Sequence, residues 1–244
     1  MPSFSSRQSV SDVHTAQASI VIAGLLAFIA GGVNVVGFLA TEWFASHLSG
    51  AVTGASAAVL THNSKLAIGY FALILSFVAG AAWAAMLVAS SRLPGMRNPY
   101  APVLLFEGLI LLAIGFNADF AAAHEVMFVP LLILALSFLM GMQNALINKL
   151  SSAGIRTTHV TGMLTDLGIE LGKLVRRKAT ARPQPYPHGE DPARIGPSKL
   201  KTLALMAVLF FAGGAAGTAA FQQAGCLALL PLAAMLILLA WMPA

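Results

Sequence analysis

The hydropathy pattern divides the chain into six long apolar runs joined by polar connectors: Ala18–Ala40, Leu66–Ala89, Ala101–Ala118, Val126–Ile147, Thr202–Phe221 and Cys226–Met242. A membrane-crossing helix needs about 20 mostly apolar residues, so each run is a candidate span. The runs are continuous and rich in Ala and Leu, without the period-two alternation of a membrane barrel. The fold class this predicts is all-α, a polytopic helical bundle of about six transmembrane helices.

Two further segments carry helical signals without the length to cross. Gly50–Leu60 is apolar and built of small residues. Within Thr157–Val175, Leu164, Leu167, Leu171 and Leu174 keep helical spacing, with Asp166, Glu170, Lys173 and Arg177 on the opposite face. Entering the bilayer from opposite sides, the two would be re-entrant or broken helices, which lipid tolerates only when they are buried in protein or line a cavity. The alternative is a pair of amphipathic helices resting on the two membrane surfaces.

Composition strengthens the membrane reading. Of the 244 residues, 58% are hydrophobic and 9% charged, where a soluble domain carries roughly 25% charged residues. The net charge of +5 would suggest a nucleic-acid partner in a soluble protein, but here its position along the chain matters more. With six spans, 13 of the 14 Lys and Arg residues fall on one side, and only Lys65 on the other. Basic loops resist translocation, so that side, with both termini, is expected to be cytoplasmic, in a bacterial inner membrane. Residues 1–17 then form a cytoplasmic tail, and the first apolar run, too long for a signal-peptide core, is a retained helix. The Pro-rich stretch 179–198, ATARPQPYPHGEDPARIGPS, is a cytoplasmic linker. Cys226 is the single cysteine, which excludes an internal disulfide and a CxxC site.

The chain also repeats itself. FIAGGVN ends the first span and FLMGMQN the fourth, so that Phe28, Gly31 and Asn34 stand 110 positions before Phe138, Gly141 and Asn144. His47-Leu48-Ser49-Gly50 returns as His159-Val160-Thr161-Gly162, and Ala79-Gly80-Ala81-Ala82 as Ala212-Gly213-Gly214-Ala215. The offset grows from 110 to 112 across the loop after the first motif and to 133 where the Pro-rich linker intervenes, changes confined to loops as a duplication would leave them. Three spans per half make the halves run oppositely, which predicts an inverted repeat, 18–118 and 126–244. Chance similarity among Gly- and Ala-rich membrane helices is the competing account.

Polar side chains at bilayer depth mark candidate chemistry. Asn34, Gln143 and Asn144 lie just inside span ends, followed by His47-x-Ser49-Gly50 and His159-x-Thr161-Gly162. A hydroxyl and a Gly at a helix start suit N-capping, and helix starts pointing inward would offer N–H groups to an anion or polar group. Glu107 is the one acid well inside a span. It couples protons or cations, or else snorkels to water and pairs with Arg92 or Arg97. These residues form the candidate binding set. No nucleophile elbow, P-loop, HExxH or dinucleotide fingerprint occurs, so no enzyme activity, cofactor or metal is expected.

The stretches AGGVNVVGFL (Ala30–Leu39), FASHLSGA (Phe44–Ala51), GMQNALINKL (Gly141–Leu150) and TTHVTGMLTDLG (Thr157–Gly168) resemble the YoaK family of bacterial inner-membrane proteins, a domain of unknown function. The resemblance covers nearly the whole chain and implies a polytopic membrane fold. The family usually has an Asp at the position of Asn34 and Thr-Gly-Asn at Ser49-Gly50-Ala51, so this chain lacks a titratable group there. The expected function is a transporter or channel for a small polar or anionic solute. The alternative is a non-transporting scaffold that recruits a partner or lipid through its basic cytoplasmic segment.

Overall fold

The computed structural model describes residues 5–90, 98–117, 125–150, 160–179 and 197–242. It is all-helical over these: α1 (Ser5–Thr41), α2 (Leu48–Leu60), α3 (Ser64–Ser90), α4 (Ala101–Phe116), α5 (Glu125–Leu150), α6 (Val160–Ala179), α7 (Pro197–Ala224), a 3-10 turn (Gly225–Ala228) and α8 (Leu229–Trp241). Four apolar stretches are long enough to cross a membrane, at Ile20–Thr41, Ser64–Ala89, Val129–Ile147 and Leu200–Trp241. The last holds both α7 and α8. The 16 residues of α4 reach only about 24 Å at 1.5 Å per residue.

The outward faces of these helices are apolar. Ile68, Phe71, Leu75 and Val78 form such a face on α3, while Val208 and Phe211 project from α7 and Leu109 and Phe116 from α4. A belt of this kind on a water-soluble protein would drive aggregation, whereas in lipid it costs nothing. The protein is an integral membrane protein.

Inside, α1 runs parallel to α7 and α3 parallel to α5, each pair in close backbone contact. A Cβ on Gly31 would fall on the Phe210 carbonyl oxygen, and one on Gly213 on the Phe28 carbonyl oxygen. In the other pair, Gly141 stands against the Phe77 carbonyl and Gly80 against the Phe138 carbonyl. Only a missing side chain permits such approach, and it lets Cα–H groups meet carbonyls across the interface. Two hydroxyls add to the α3–α5 contact: Ser76 Oγ donates to the Leu134 carbonyl at 2.7 Å and Ser137 Oγ to the Leu73 carbonyl at 3.1 Å.

The third close pair is antiparallel. Gly108 of α4 meets Ile237 and Ala233 of α8, and Gly115 meets Leu230. Asn98 fastens the start of α4 to the end of α8: its Nδ2 donates to the Leu239 carbonyl at 3.1 Å, and its Oδ1 accepts the Tyr100 N–H at 2.9 Å. Leu26, Ile29 and Val36 of α1 and Leu132, Leu136 and Leu139 of α5 fill the middle of the core, with Leu104 and Leu236 beside them.

The two short segments are both helices. α2 lies on α3 through Ala51, Ala55 and Ala58, with the Tyr70 ring packed where a Cβ of Gly54 would be. It stops at His62, whose φ of +56° accompanies Asn63 N–H bonding back to the Ala58 carbonyl at 2.9 Å. That geometry is a Schellman-type end.

α6 lies on α7, and its inward face differs from the leucine stripe. Val160, Met163 and Leu167 pack with Leu203, Met206 and Leu209. Glu170 is also buried, paired with Lys173 at 3.1 Å. Leu164, Leu171 and Leu174 instead face outward. The helix therefore turns part of its charged side toward the bundle and most of its leucines away. The cytoplasmic tail of the sequence reading is likewise continuous with α1, which is helical from Ser5; no Gly or Pro interrupts it before Gly24. Residues 180–196 of the Pro-rich linker lie outside the described residues.

Candidate functional site

The helix starts of α2 and α6 come together. A cavity of about 620 Å³ is lined by Asn34, Ser46, His47 and Ser49 on one side and by Val160, Thr161 and Gly162 on the other. Phe44, Leu48 and Phe210 complete the wall. The volume lies within the range of small-molecule sites. Its lining sets the uncharged polar groups of Asn34, Ser46, Ser49 and Thr161 and the His47 ring in a larger apolar wall, and among the described residues it carries no Asp, Glu, Lys or Arg.

Each polar group has a local reason for its place. α1 ends at Thr41, whose Oγ1 donates to the Gly37 carbonyl at 2.7 Å, and Glu42 then turns the chain with φ +60°. This hairpin brings Ser46 back to Asn34, where Ser46 Oγ donates to Asn34 Oδ1 at 2.8 Å. His47 follows as the residue preceding α2 and makes no side-chain cap bond. Its ring occupies the space a Cβ on Gly50 would need, so the glycine of the motif makes room for the histidine three residues before it rather than for a second helix.

The expected caps are therefore not formed by the hydroxyls. Ser49 and Thr161 are each the second residue inside their helices, too late to cap the first turn. Their carbonyls instead accept hydroxyl bonds from Thr53 at 3.0 Å and Thr165 at 2.8 Å. No side chain caps α2; the Leu48 N–H bonds back to the Ser46 carbonyl at 3.1 Å, which leaves the following N–H groups of the first turn and the positive dipole end to the cavity.

A second, smaller hollow of about 410 Å³ adjoins the first, lined by Glu42, Trp43, Gly50, Ala51, Tyr70 and Leu73 together with Phe44 and His47. Phe44 and His47 line both and so stand between them. Phe44 is held on one side by stacking on Phe38 at 4.3 Å and meets the His47 ring edge-on at 6.3 Å. Trp43 packs against Tyr70 at 4.7 Å.

The remaining candidates lie elsewhere. Asn144 does not line either hollow; it is buried and its Nδ2 donates to the Met140 carbonyl at 2.9 Å within α5. Glu107 and Gln143 are buried together, 0% and 1% exposed, with the Gln143 amide beside the carboxyl. No bond of good geometry joins them: both Glu107 oxygens and Gln143 Oε1 lack a partner. Full burial rules out snorkelling by Glu107. His159 lies outside the described residues, as do Arg92 and Arg97.

A family model described as "Protein of unknown function (DUF1275)" matches residues 22–242. The chain belongs to the DUF1275 family. No curated protein and no solved structure matches it. The DUF1275 match runs from α1 into the end of α8, so the cavity, both helix starts and the Glu107–Gln143 pair all fall within it. The resemblance to YoaK is consistent with this membership. Ser46, Phe44 and Phe210 are cavity residues that motif reading passed over. Ser46 was detectable, since it sits beside His47 in FASHLSGA, whereas Phe210 lies within a plain apolar run and carried no such signal.

Proposed function

We propose that this DUF1275 protein is a transporter or channel for a small polar or anionic solute, held at the cavity between the starts of α2 and α6. The observation that carries the reading is that two helix starts, one from each half of the chain, bring uncharged polar groups to one cavity in a membrane protein. Backbone N–H groups at such ends favour anions and polar oxygens, and discontinuous helices of this kind mark solute sites in transporters.

The architecture proposed is six spans in two inverted halves, α1 to α4 and α5 to α8. The paired Gly–carbonyl contacts support it, because α1–α7 and α3–α5 exchange under the repeat while α4–α8 maps onto itself. Parallel α1–α7, parallel α3–α5 and antiparallel α4–α8 are the directions that six alternating spans require. Under this reading α2 and α6 enter the bilayer, Asn34 and Ser49 sit near mid-membrane, and the Lys/Arg bias puts both termini in the cytoplasm of a bacterial inner membrane. No chemical step is assigned, and the protein is read as non-enzymatic.

The experiment is solute flux in reconstituted vesicles, comparing wild type with Asn34→Leu and Thr161→Val. Flux of at least one polar or anionic solute, lowered by both substitutions, supports the reading. Flux equal to that of empty vesicles across polar, anionic and cationic panels refutes it.

A further inference from the structure

The buried acid on α4 has no role in the cavity, and its surroundings assign it one. Glu107 is the only ionisable residue of α4. The elements packed on α4 are α8, α5, α3 and the 3-10 turn. α8 carries no ionisable group, and α5 carries none between 129 and 147. On α3, Lys65 and Tyr70 lie more than three turns before Trp83, whose ring meets Phe106, the neighbour of Glu107. Cys226 of the turn lies by Gly115, two turns along α4. No basic group among the described residues therefore answers the carboxyl, and no third metal-ligating side chain joins it. The polar side chain that stands beside it is the Gln143 amide.

A bare carboxylate enclosed by apolar helices is costly, so the group is either neutral or holds a cation. Two carboxyl oxygens and one amide oxygen fall well short of the six or more oxygens that hard metal cations gather. One proton is enough. It converts the carboxylate into a donor for Gln143 Oε1, while Gln143 Nε2 donates to the other carboxyl oxygen.

We propose that Glu107 and Gln143 form a proton-binding site, loaded and emptied in the working protein and present in one half of the chain only. The asymmetry is legible in the repeat: Val33 stands where Gln143 does, and aligning Pro102 with Pro231 puts Leu236 where Glu107 does. A duplicated scaffold that keeps two helix starts alike but places one acid off the symmetry has separated solute binding from proton binding. The link from proton to solute movement rests on the transporter reading; the proton site does not.

The test is pH-step infrared difference spectroscopy of the full chain in lipid vesicles, for wild type, Glu107→Gln and Gln143→Leu, each checked for folding by size exclusion and circular dichroism. The expected result is a protonated-carboxyl band, one per chain, that rises and falls reversibly with pH. Glu107→Gln removes it, and Gln143→Leu shifts its frequency because the acceptor is gone. A wild-type band that never changes while the protein stays folded overturns the proposal, since Glu107 is then a permanently neutral packing group. No band lost in Glu107→Gln overturns it equally, and if that variant does not fold, an unshifted band in Gln143→Leu does so. A titrating band without solute flux refutes the transporter reading and leaves the proton site standing, and flux without a titrating band does the reverse.

Discussion

Replacing Gly31 with alanine perturbs the α1–α7 contact at one atom. The new Cβ would coincide with the Phe210 carbonyl oxygen and crowd the Gly214 nitrogen, with both obstacles in the backbone. Carbon–oxygen contacts between helices settle at about 3.3–3.6 Å, so the two backbones must part by more than ~1 Å. A gap of that size forfeits up to about half the dispersion energy of each facing atom pair. Overpacking typically costs about 1–3 kcal/mol, and a rigid obstacle puts Gly31→Ala at the upper end, about 2–3 kcal/mol. Gly213→Ala, against the Phe28 carbonyl in the same interface, should cost as much. Once one substitution has parted the helices, the second meets less resistance. The double variant should then fall short of the sum by at least about 0.5 kcal/mol, as neighbours in contact do. Gly31→Ala with Gly80→Ala, in separate helix pairs, should be nearly additive. Gly172→Ala is the control: nothing lies within 4 Å of its Cβ, so it should gain up to ~1 kcal/mol of helix propensity. Denaturation in detergent, followed by intrinsic tryptophan fluorescence, reads all five. A Gly31→Ala loss below about 0.5 kcal/mol, or strict additivity with Gly213→Ala, would refute the packing account.

Three smaller effects follow from the same geometry. Ser137→Ala removes the buried hydroxyl bond to the Leu73 carbonyl and should cost ~0.6 kcal/mol, the usual scale for helix–helix hydrogen bonds in lipid; no measurable change in the same denaturation assay would contradict it. His62→Gly relieves a left-handed residue at the end of α2 and should stabilise by about 0.5–1 kcal/mol, whereas a loss of stability would show that the imidazole does more than end the helix. Gly50→Ala pushes the His47 ring out of its place, so solute flux should fall while stability moves little; unchanged flux would detach His47 from the site.

Much of the architecture was written in the hydropathy pattern, because lipid demands long apolar helices and the described parts of all six runs are helical. The spacing of the Gly-rich clusters was legible too, setting Gly31 against Gly141 and Gly80 against Gly213 as matching positions. Which carbonyl each would meet was not legible, since that depends on partners more than 50 residues away. Ser49 and Thr161 misled for a different reason: a hydroxyl near a helix start signals a cap, but its role changes if the helix begins one residue earlier. On α6, periodicity separated leucines from charges without saying which side faces protein. In a membrane the leucines can face outward, as Leu164 and Leu171 do. Glu107 was ambiguous because its depth depends on the rotation of α4, which Gly108 against Ile237 fixes and sequence spacing does not.

The most direct test of the account is the accessibility of the two helix starts. Single cysteines at Ser49 and Thr161, in a Cys226→Ser background, are treated in sealed vesicles with a small, charged thiol reagent, alongside Leu75→Cys and Phe211→Cys on the lipid-facing surface. The account predicts that both helix-start cysteines react, because they line one water-filled cavity, and that the lipid-facing pair does not. If Ser49→Cys and Thr161→Cys are as unreactive as Leu75→Cys, the cavity is dry and the central claim fails.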